Sequence, residues 1–329
     1  MLKELLIYET DCTDPWYNLA LESHLLERVS PGQAILYLWQ NRNTVVIGRN
    51  QNAWAECRVS LLAEEGGHLA RRLSGGGAVF HDLGNLNFTF LMSDEDYNIP
   101  KQLSVIQEAC RILGIIAVPS GRNDLLAEGA KFSGNAFYHS QGKAYHHGTL
   151  MVHVDKDKLG RYLSPPKAKL QAKGVASVRS RVVNLSELCP GLTIPAMKEA
   201  MKTAFSQVYG LPAAPLNLDS SWESLLAEKA AAMSSWDWLY GKPLPFSLEC
   251  AEKYPWGHVQ LLLQVESGII RGIQIYSDAM DWTLPEILEK ALTGIRFTDA
   301  NIELALSSAA LPEDICRDLA DLLKKGIQN

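Results

Sequence analysis

The stretch RRLSGGGAVFHD, Arg71 to Asp82, constrains this chain more than any other. It sets two arginines, a serine and three consecutive glycines between segments that read as strands, HLARR ahead of it and the alternating LNFTFLM, Leu86 to Met92, behind it. Glycine lacks a Cβ, so the backbone can turn successive N–H groups toward one point, and Arg71 and Arg72 bring fixed positive charge beside that nest. The expected guest is a phosphate or a carboxylate. A P-loop needs GxxxxGK[ST] running into a helix, and a dinucleotide-binding turn needs GxGxxG opening one. Neither pattern is present between these strands.

A chain of 329 residues exceeds the usual single-domain size, which predicts one large domain with a smaller companion. Hydrophobic residues at 47% against 21% charged can bury a sizeable core. A formal net charge of -6 argues against a dedicated nucleic-acid binder, which needs a basic surface to displace counterions. The six cysteines, Cys12, Cys57, Cys110, Cys189, Cys250 and Cys316, form no CxxC pair and suggest neither a zinc site nor a disulfide framework. MLKELLIYETDCTDPW has too short an apolar run for a signal peptide, and no window approaches a membrane span. These features together point to a reducing cytoplasm.

Periodicity and punctuation organise the rest. Asp14 and Pro15 read as the cap and first residue of a helix, and AILYLW (Ala34 to Trp39) with TVVIG (Thr44 to Gly48) reads as a hairpin across QNRN. Helices are predicted over Ala53 to Glu65, Gln102 to Leu113, Ile194 to Tyr209 and Trp222 to Met233. KFSGNAFY (Lys131 to Tyr138) and AYHHGTLMVHV (Ala144 to Val154) are strand-like and make the sheet largely antiparallel. GKPLPF, Gly241 to Phe246, breaks the chain. The fold class expected is α+β: a large mixed, mainly antiparallel sheet domain flanked by helices over residues 1–245, and a small α+β domain over 246–329. In the small domain two strands meet at Glu266-Ser267-Gly268 and helices follow from Leu284.

Besides the glycine loop, GRND (Gly121 to Asp124), KFSGNA (Lys131 to Ala136), HHGTL (His146 to Leu150) and KGVASVRSRV (Lys173 to Val182) combine polar residues with glycine inside strand-rich sequence. Taken singly they have plain readings: a hairpin turn, a strand-edge lysine at Lys131, a turn cap at Asp124, half-buried rings at His146 and His147. The run of lysines from Lys156 to Lys173, with Arg179 and Arg181, reads as a solvated face or as a patch that attracts an acidic carrier domain or a triphosphate. Their conjunction with DPWYNLALE, TVVIGRNQNAW and SSWDWLYGKPLPF, in that family's order, resembles the lipoate-protein ligases of the A type, whose broader fold biotin ligases share.

That resemblance implies roles. Arg71, Arg72, Ser74, Gly75, Gly76, Gly77, Ala78, Val79, Phe80 and His81 are similar to the loop that binds ATP phosphates and the activated acyl group. Lys131 resembles the catalytic lysine that contacts the lipoate carboxyl oxygen and the α-phosphate, with Ser133 and Gly134 beside it. Asn123 and Asp124 match polar residues at the adenylate, Asp124 as a magnesium contact. His147, Gly148 and Thr149 match a pocket-lining strand, and Lys173, Gly174, Ser177, Val178 and Ser180 a loop that closes over the adenylate.

The implied function is an ATP-dependent ligase that makes lipoyl-AMP from lipoate or octanoate, releases pyrophosphate and transfers the acyl group to a lysine. Its acceptors would be lipoyl domains of 2-oxoacid dehydrogenase acyltransferase subunits and the glycine cleavage H protein. ATP and magnesium would be needed, with no tightly bound prosthetic group, no nucleic acid or membrane partner, and a monomer as the family-like state. Carboxylate attack on the α-phosphorus brings an anion against a polyanion, and lysine, arginine and magnesium are the groups that screen such repulsion. One alternative is a lipoyl or octanoyl transferase that uses a pre-activated donor without ATP, for which Cys189 in ELCPG is the residue to check. Another is a non-catalytic binding module.

Overall fold

The computed structural model describes residues 2–121, 123–163, 182–218, 222–241 and 246–328. Lys173, Gly174, Ser177, Val178 and Ser180 lie outside the described residues, as does most of GKPLPF. The chain forms two compact units. One comprises Met1–Val46, Trp54–Arg71 and Ala78–Leu239; the other comprises Ile47–Ala53, Arg72–Gly77 and Tyr240–Asn329.

The first unit carries strands β1 (Glu4–Glu9), β2 (Gln33–Trp39), β3 (Thr44–Ile47), β4 (His68–Arg71), β5 (Val79–His81), β6 (Asn85–Ser93), β7 (Val118–Ser120), β8 (Asp124–Ala127), β9 (Ala130–Ser140), β10 (Lys143–Met151) and β11 (Ala213–Pro215). Its helices are α1 (Pro15–Arg28), α2 (Ala53–Glu56), α3 (Val59–Glu64), α4 (Ile99–Ile112), α5 (Lys156–Tyr162), α6 (Leu185–Leu188), α7 (Ile194–Tyr209), α8 (Glu223–Ser234) and α9 (Trp236–Tyr240). An eight-stranded sheet runs β11-β1-β2-β6-β10-β9-β8-β7. β11, β1 and β2 pair in parallel and every later pair is antiparallel, so the sheet is mixed and mainly antiparallel.

Helix ends follow local chemistry. Asp14 accepts the Tyr17 N–H at 2.8 Å with Pro15 behind it, Asn98 accepts the Lys101 N–H at 2.9 Å ahead of Pro100, and α7 stops at Gly210 in the left-handed conformation, φ 70°. The expected hairpin between β2 and β3 does not form. β2 is an interior strand of the large sheet, whereas β3 joins β4 and β5 in a separate three-stranded sheet. The four-residue polar QNRN suits a tight turn, yet β2 is paired along both edges by β1 and β6, with its aromatic and aliphatic side chains buried. The helix expected over Ala53 to Glu65 is also divided into α2 and α3.

One face of the large sheet holds the main core. Leu86, Phe88, Phe90 and Met92 of β6 pack there with Val105, Ile106 and Ala109 of α4 and with Met197, Met201 and Phe205 of α7. On the other face α1 packs against β6 and β10, and α8 packs on α1.

The second unit has strands β12 (Leu248–Tyr254), β13 (Gly257–Glu266) and β14 (Ile269–Ser277) in one antiparallel sheet, then helices α10 (Leu284–Leu292), α11 (Asp299–Ser307) and α12 (Glu313–Gln328). The two expected strands meet at Ser267 and Gly268, both at positive φ as a tight two-residue hairpin requires; β12 is additional. The expected division was a single cut after residue 245. Two short segments instead group with the C-terminal stretch: Ser277 N–H donates to Asn50 O at 2.9 Å, Asn50 Nδ2 donates to Trp282 O at 2.8 Å, and Gly76 N–H donates to Ala279 O at 3.2 Å. A Cβ on Gly75 would stand 2.4 Å from Ala279 O, so glycine permits this approach.

The turn between β5 and β6 is equally tight: Gly84 O accepts the N–H groups of Val152 and His153, and a Cβ on Gly84 would stand 2.2 Å from His153 O. Gly84→Ala should cost about 1–3 kcal/mol through this overpacking, read by denaturant unfolding; a change within about 0.5 kcal/mol would contradict the packing assigned here.

Candidate active site

Alternation along β6 sends Leu86, Phe88, Phe90 and Met92 into the core and leaves Asn85, Asn87 and Thr89 on the opposite face. Pairing register then sets Thr149 of β10 opposite Asn87 and His147 opposite Thr89, with Trp39 and Tyr37 of β2 on the other side. Gly134 of β9 lies beyond Thr149, its N–H donating to Thr149 Oγ1 at 3.2 Å, and Asp124 of β8 is paired with Gly134. A polar track therefore crosses adjacent strands.

Lys131 lies at the end of this track. Its Nζ is 2.7 Å from Asp124 Oδ1, each side chain 36% exposed. The ammonium lies 3.1 Å from where a Cβ on Gly134 would stand, so the absent side chain makes its berth. The main chain of Lys131 is fixed too, its carbonyl accepting the Val183 N–H at 2.9 Å. A half-exposed ion pair of this kind contributes at most about 1 kcal/mol, so the ammonium can turn to another anion at small cost.

His147 is held tightly by contrast. Its Nδ1–H donates to Glu22 Oε1 at 2.8 Å; the same oxygen accepts from Thr89 Oγ1 at 2.7 Å, and Trp39 Nε1–H donates to Thr89 Oγ1 at 3.1 Å. Glu22, Thr89 and His147 are all buried. Close by, Asn85 Nδ2 donates to Asn87 Oδ1 at 2.9 Å, while Asn85 Oδ1 and Asn87 Nδ2 are buried without a partner. Such leftover donors and acceptors are what a polar ligand group can satisfy. Sequence reasoning missed Glu22, Trp39, Asn87 and Thr89. Only DPWYNLALE carried a signal, a glutamate in phase with the buried residues Asn18, Leu19, Leu25 and Leu26 of its helix.

The remaining predicted residues are distributed. Asn123 staples β8 to β9: its carbonyl accepts the Asn135 N–H at 2.8 Å and its Nδ2 donates to Asn135 O at 2.9 Å. Ser133 faces the core side and not the polar track, because a bulge makes Leu125 oppose Ser133 but Leu126 oppose Lys131. Gly148 is needed for packing, since its Cβ would stand 2.6 Å from the Phe88 ring. Val79, Phe80 and His81 form β5; Phe80 packs on Tyr162, and His81 Nδ1 lies 3.2 Å from Asn41 Nδ2. Ala78 and Gly77 precede them at the surface.

Both arginines donate to main-chain carbonyls. Arg72 Nη2 donates to Gly75 O at 2.7 Å and Gly77 O at 2.8 Å, and its Nε reaches Ser74 Oγ at 3.2 Å, so the guanidinium braces its own loop around Ser74 and Gly76. Arg71 Nε donates to Trp238 O at 2.8 Å and its Nη2 to Leu239 O.

Cys189 packs against the core cluster, on the sheet face away from His147 and Thr149. Among the described residues no group of three His, Cys, Asp or Glu side chains could hold a metal. Two carboxylates lie along the polar track: Glu22, buried and bonded to His147 and Thr89, and Asp124, partly exposed and paired with Lys131.

Residues 14–206 match the family "Lipoyl protein ligase A/B catalytic domain" and residues 244–323 match "Bacterial lipoate protein ligase C-terminus". The chain belongs to the lipoate-protein ligase A family. It is 41% identical over 301 residues to a lipoate-protein ligase A of Blochmanniella pennsylvanica, covering 89% of each chain, and 41% identical over 316 residues to that of Bdellovibrio bacteriovorus, covering 93% of each. A crystal structure of P. falciparum LipL1 in complex with lipoate superimposes with a TM-score of 0.84 at 27% identity, covering 97% of this chain and 98% of that one. A lipoate-protein ligase A bound with ATP gives a TM-score of 0.63 at 29% identity, covering 73% and 99%. The α+β expectation and the ligase resemblance are both met.

Behind the track, on the core side, His146 Nε2 lies 2.8 Å from Asn135 Oδ1 and Nδ1 lies 3.0 Å from the Gln102 carboxamide. Burial, aided by neighbouring His147, pushes the His146 pKa down to about 3. Because the unfolded imidazole titrates near its ordinary value of about 6.5, the stability this group confers is complete above that pH and is lost as pH falls toward 3. The slope should approach about 1.4 kcal/mol per pH unit between pH 6 and 4. His146→Gln should remove that component from pH-dependent denaturant unfolding; identical slopes in both proteins would refute the assignment.

Proposed function

We propose that this protein is an ATP-dependent lipoate-protein ligase whose chemistry runs along the polar face of the large sheet. The observation that carries the reading is Lys131: an ammonium held over Gly134 by a weak pair with Asp124, at the end of a track of buried polar groups. Lipoate and lipoyl domains are the substrates that fit the family, and one archaeal relative is described with its E2 lipoyl domain at a TM-score of 0.66, 29% identity and 74% coverage of this chain.

In the first half-reaction a lipoate carboxylate oxygen attacks the α-phosphorus of ATP, the mixed anhydride forms and pyrophosphate leaves. Lys131 supplies positive charge where the two anions meet, and its small attachment to Asp124 lets it turn toward them. Magnesium, held by Asp124 together with the phosphates, would neutralise part of the triphosphate charge. In the second half-reaction the acceptor lysine amine attacks the anhydride carbonyl, AMP departs, and Lys131 stabilises the oxyanion. Glu22 and Thr89 hold His147 fixed, so the track keeps its shape while Lys131 moves.

We assign as acceptors the lipoyl domains of 2-oxoacid dehydrogenase acyltransferase subunits and the glycine cleavage H protein, with a monomer as the working state. All six cysteines are free and no described helix is long and apolar enough to cross a membrane, which supports a cytoplasmic reading.

Lipoate-dependent exchange of pyrophosphate into ATP should be measurable with the wild-type protein, and Lys131→Ala should lower its rate by about 10² to 10³. Calorimetric ATP affinity should change far less, because the lysine acts as charge develops. Equal losses in exchange and in ATP binding would remove this role from Lys131.

A further inference from the structure

Arg71 is the last residue of β4, and the chain runs from it directly into LSGGG through Arg72. Its guanidinium is buried at 6% exposure and donates from Nε to Trp238 O at 2.8 Å and from Nη2 to Leu239 O. Trp238 returns the bond, its indole N–H donating to Arg71 O at 3.0 Å. Each residue thus offers its side chain to the other's main chain, and three hydrogen bonds close a hook between the end of β4 and α9. Trp238 and Leu239 belong to SSWDWLYG, a motif that the reaction as described does not use.

This geometry is specific in its demands. A planar guanidinium can present two parallel donors to successive carbonyls, which a lysine ammonium cannot reproduce, and a phenylalanine in place of Trp238 keeps the ring while deleting the donor. Loss of either partner removes a donor from a part-buried or buried main-chain carbonyl, which costs more than one ordinary exposed hydrogen bond gains.

We propose that Trp238 is a positioning residue for ATP, acting through Arg71: the hook fixes the end of β4, and with it the departure of the glycine loop, and Arg71 contributes its fork geometry rather than its charge. The proposal rests on the ligase reading above.

The test is the KM for ATP in lipoate-dependent pyrophosphate exchange for Arg71→Lys, Arg71→Met, Trp238→Phe and the Arg71→Lys/Trp238→Phe double variant, with melting temperature followed alongside. Each single variant should raise the ATP KM about tenfold or more, the lysine as much as the methionine, with the KM for lipoate little changed. The double variant should be no worse than Arg71→Lys alone, because both break one hook. The proposal is overturned if Arg71→Lys stays near wild type while Arg71→Met fails, if Trp238→Phe is silent, if the losses multiply, or if only the melting temperature falls. Trp238→Phe carries the test alone if the Arg71 variants do not fold. A wild-type protein that exchanges no pyrophosphate would defeat the ligase reading itself, a separate outcome.

Discussion

Strict alternation along β6 and β10 is the constraint on which the rest of this structure depends. Phe88 and Phe90 fill the core between α4 and α7, so Asn87, Thr89, His147 and Thr149 are forced onto the other face, where α1 covers them in part. A slip of one residue in that pairing would exchange the two sets, burying polar groups among leucines. The energy that holds the site in register is thus the burial of the opposite face, in the range of 1.5–3 kcal/mol for each large apolar side chain.

On this scaffold two kinds of polar contact do different work. Glu22, Thr89, Trp39 and His147 form a buried chain in which breaking one link would strand a charge or a donor away from water, so its geometry is rigid. Lys131 and Asp124 form a partly exposed pair whose small net energy leaves the ammonium free to exchange partners. Under the proposed chemistry, which screens first a triphosphate and then a tetrahedral oxyanion, the chain would serve as a fixed wall and Lys131 as the one cation that can turn. Arg72 takes a third role, spending its donors on the carbonyls of its own loop.

Much of this was legible in the sequence. Asp14-Pro15 marked a helix end because capping chemistry is local, as it is at Asn98 with Pro100 and at Gly210, and Lys131, Asp124, His147 and Thr149, drawn from separate motifs, fall on one face. The β2–β3 hairpin failed because strand partners are chosen by long-range burial, which the short QNRN link does not encode. The family resemblance set Ser133 beside Lys131, but the extra residue Phe132 shifts the parity and turns Ser133 to the core side. LECAEKY shows no clean alternation, since β12 buries little beyond Cys250, and so the third strand of the small sheet passed unseen. Arg71 read as an anion clamp because its partners, Trp238 and Leu239, are 167 and 168 positions away.

The central claim is that a lipoate carboxylate oxygen attacks the α-phosphorus of ATP before any acyl transfer. Lipoate labelled with ¹⁸O in its carboxyl group, turned over with ATP and a lipoyl domain, tests it directly through the mass of the released nucleotide. Adenylation followed by attack at the carbonyl requires AMP carrying one labelled oxygen from lipoate. Unlabelled AMP, or label recovered in pyrophosphate, ADP or phosphate, would contradict the account.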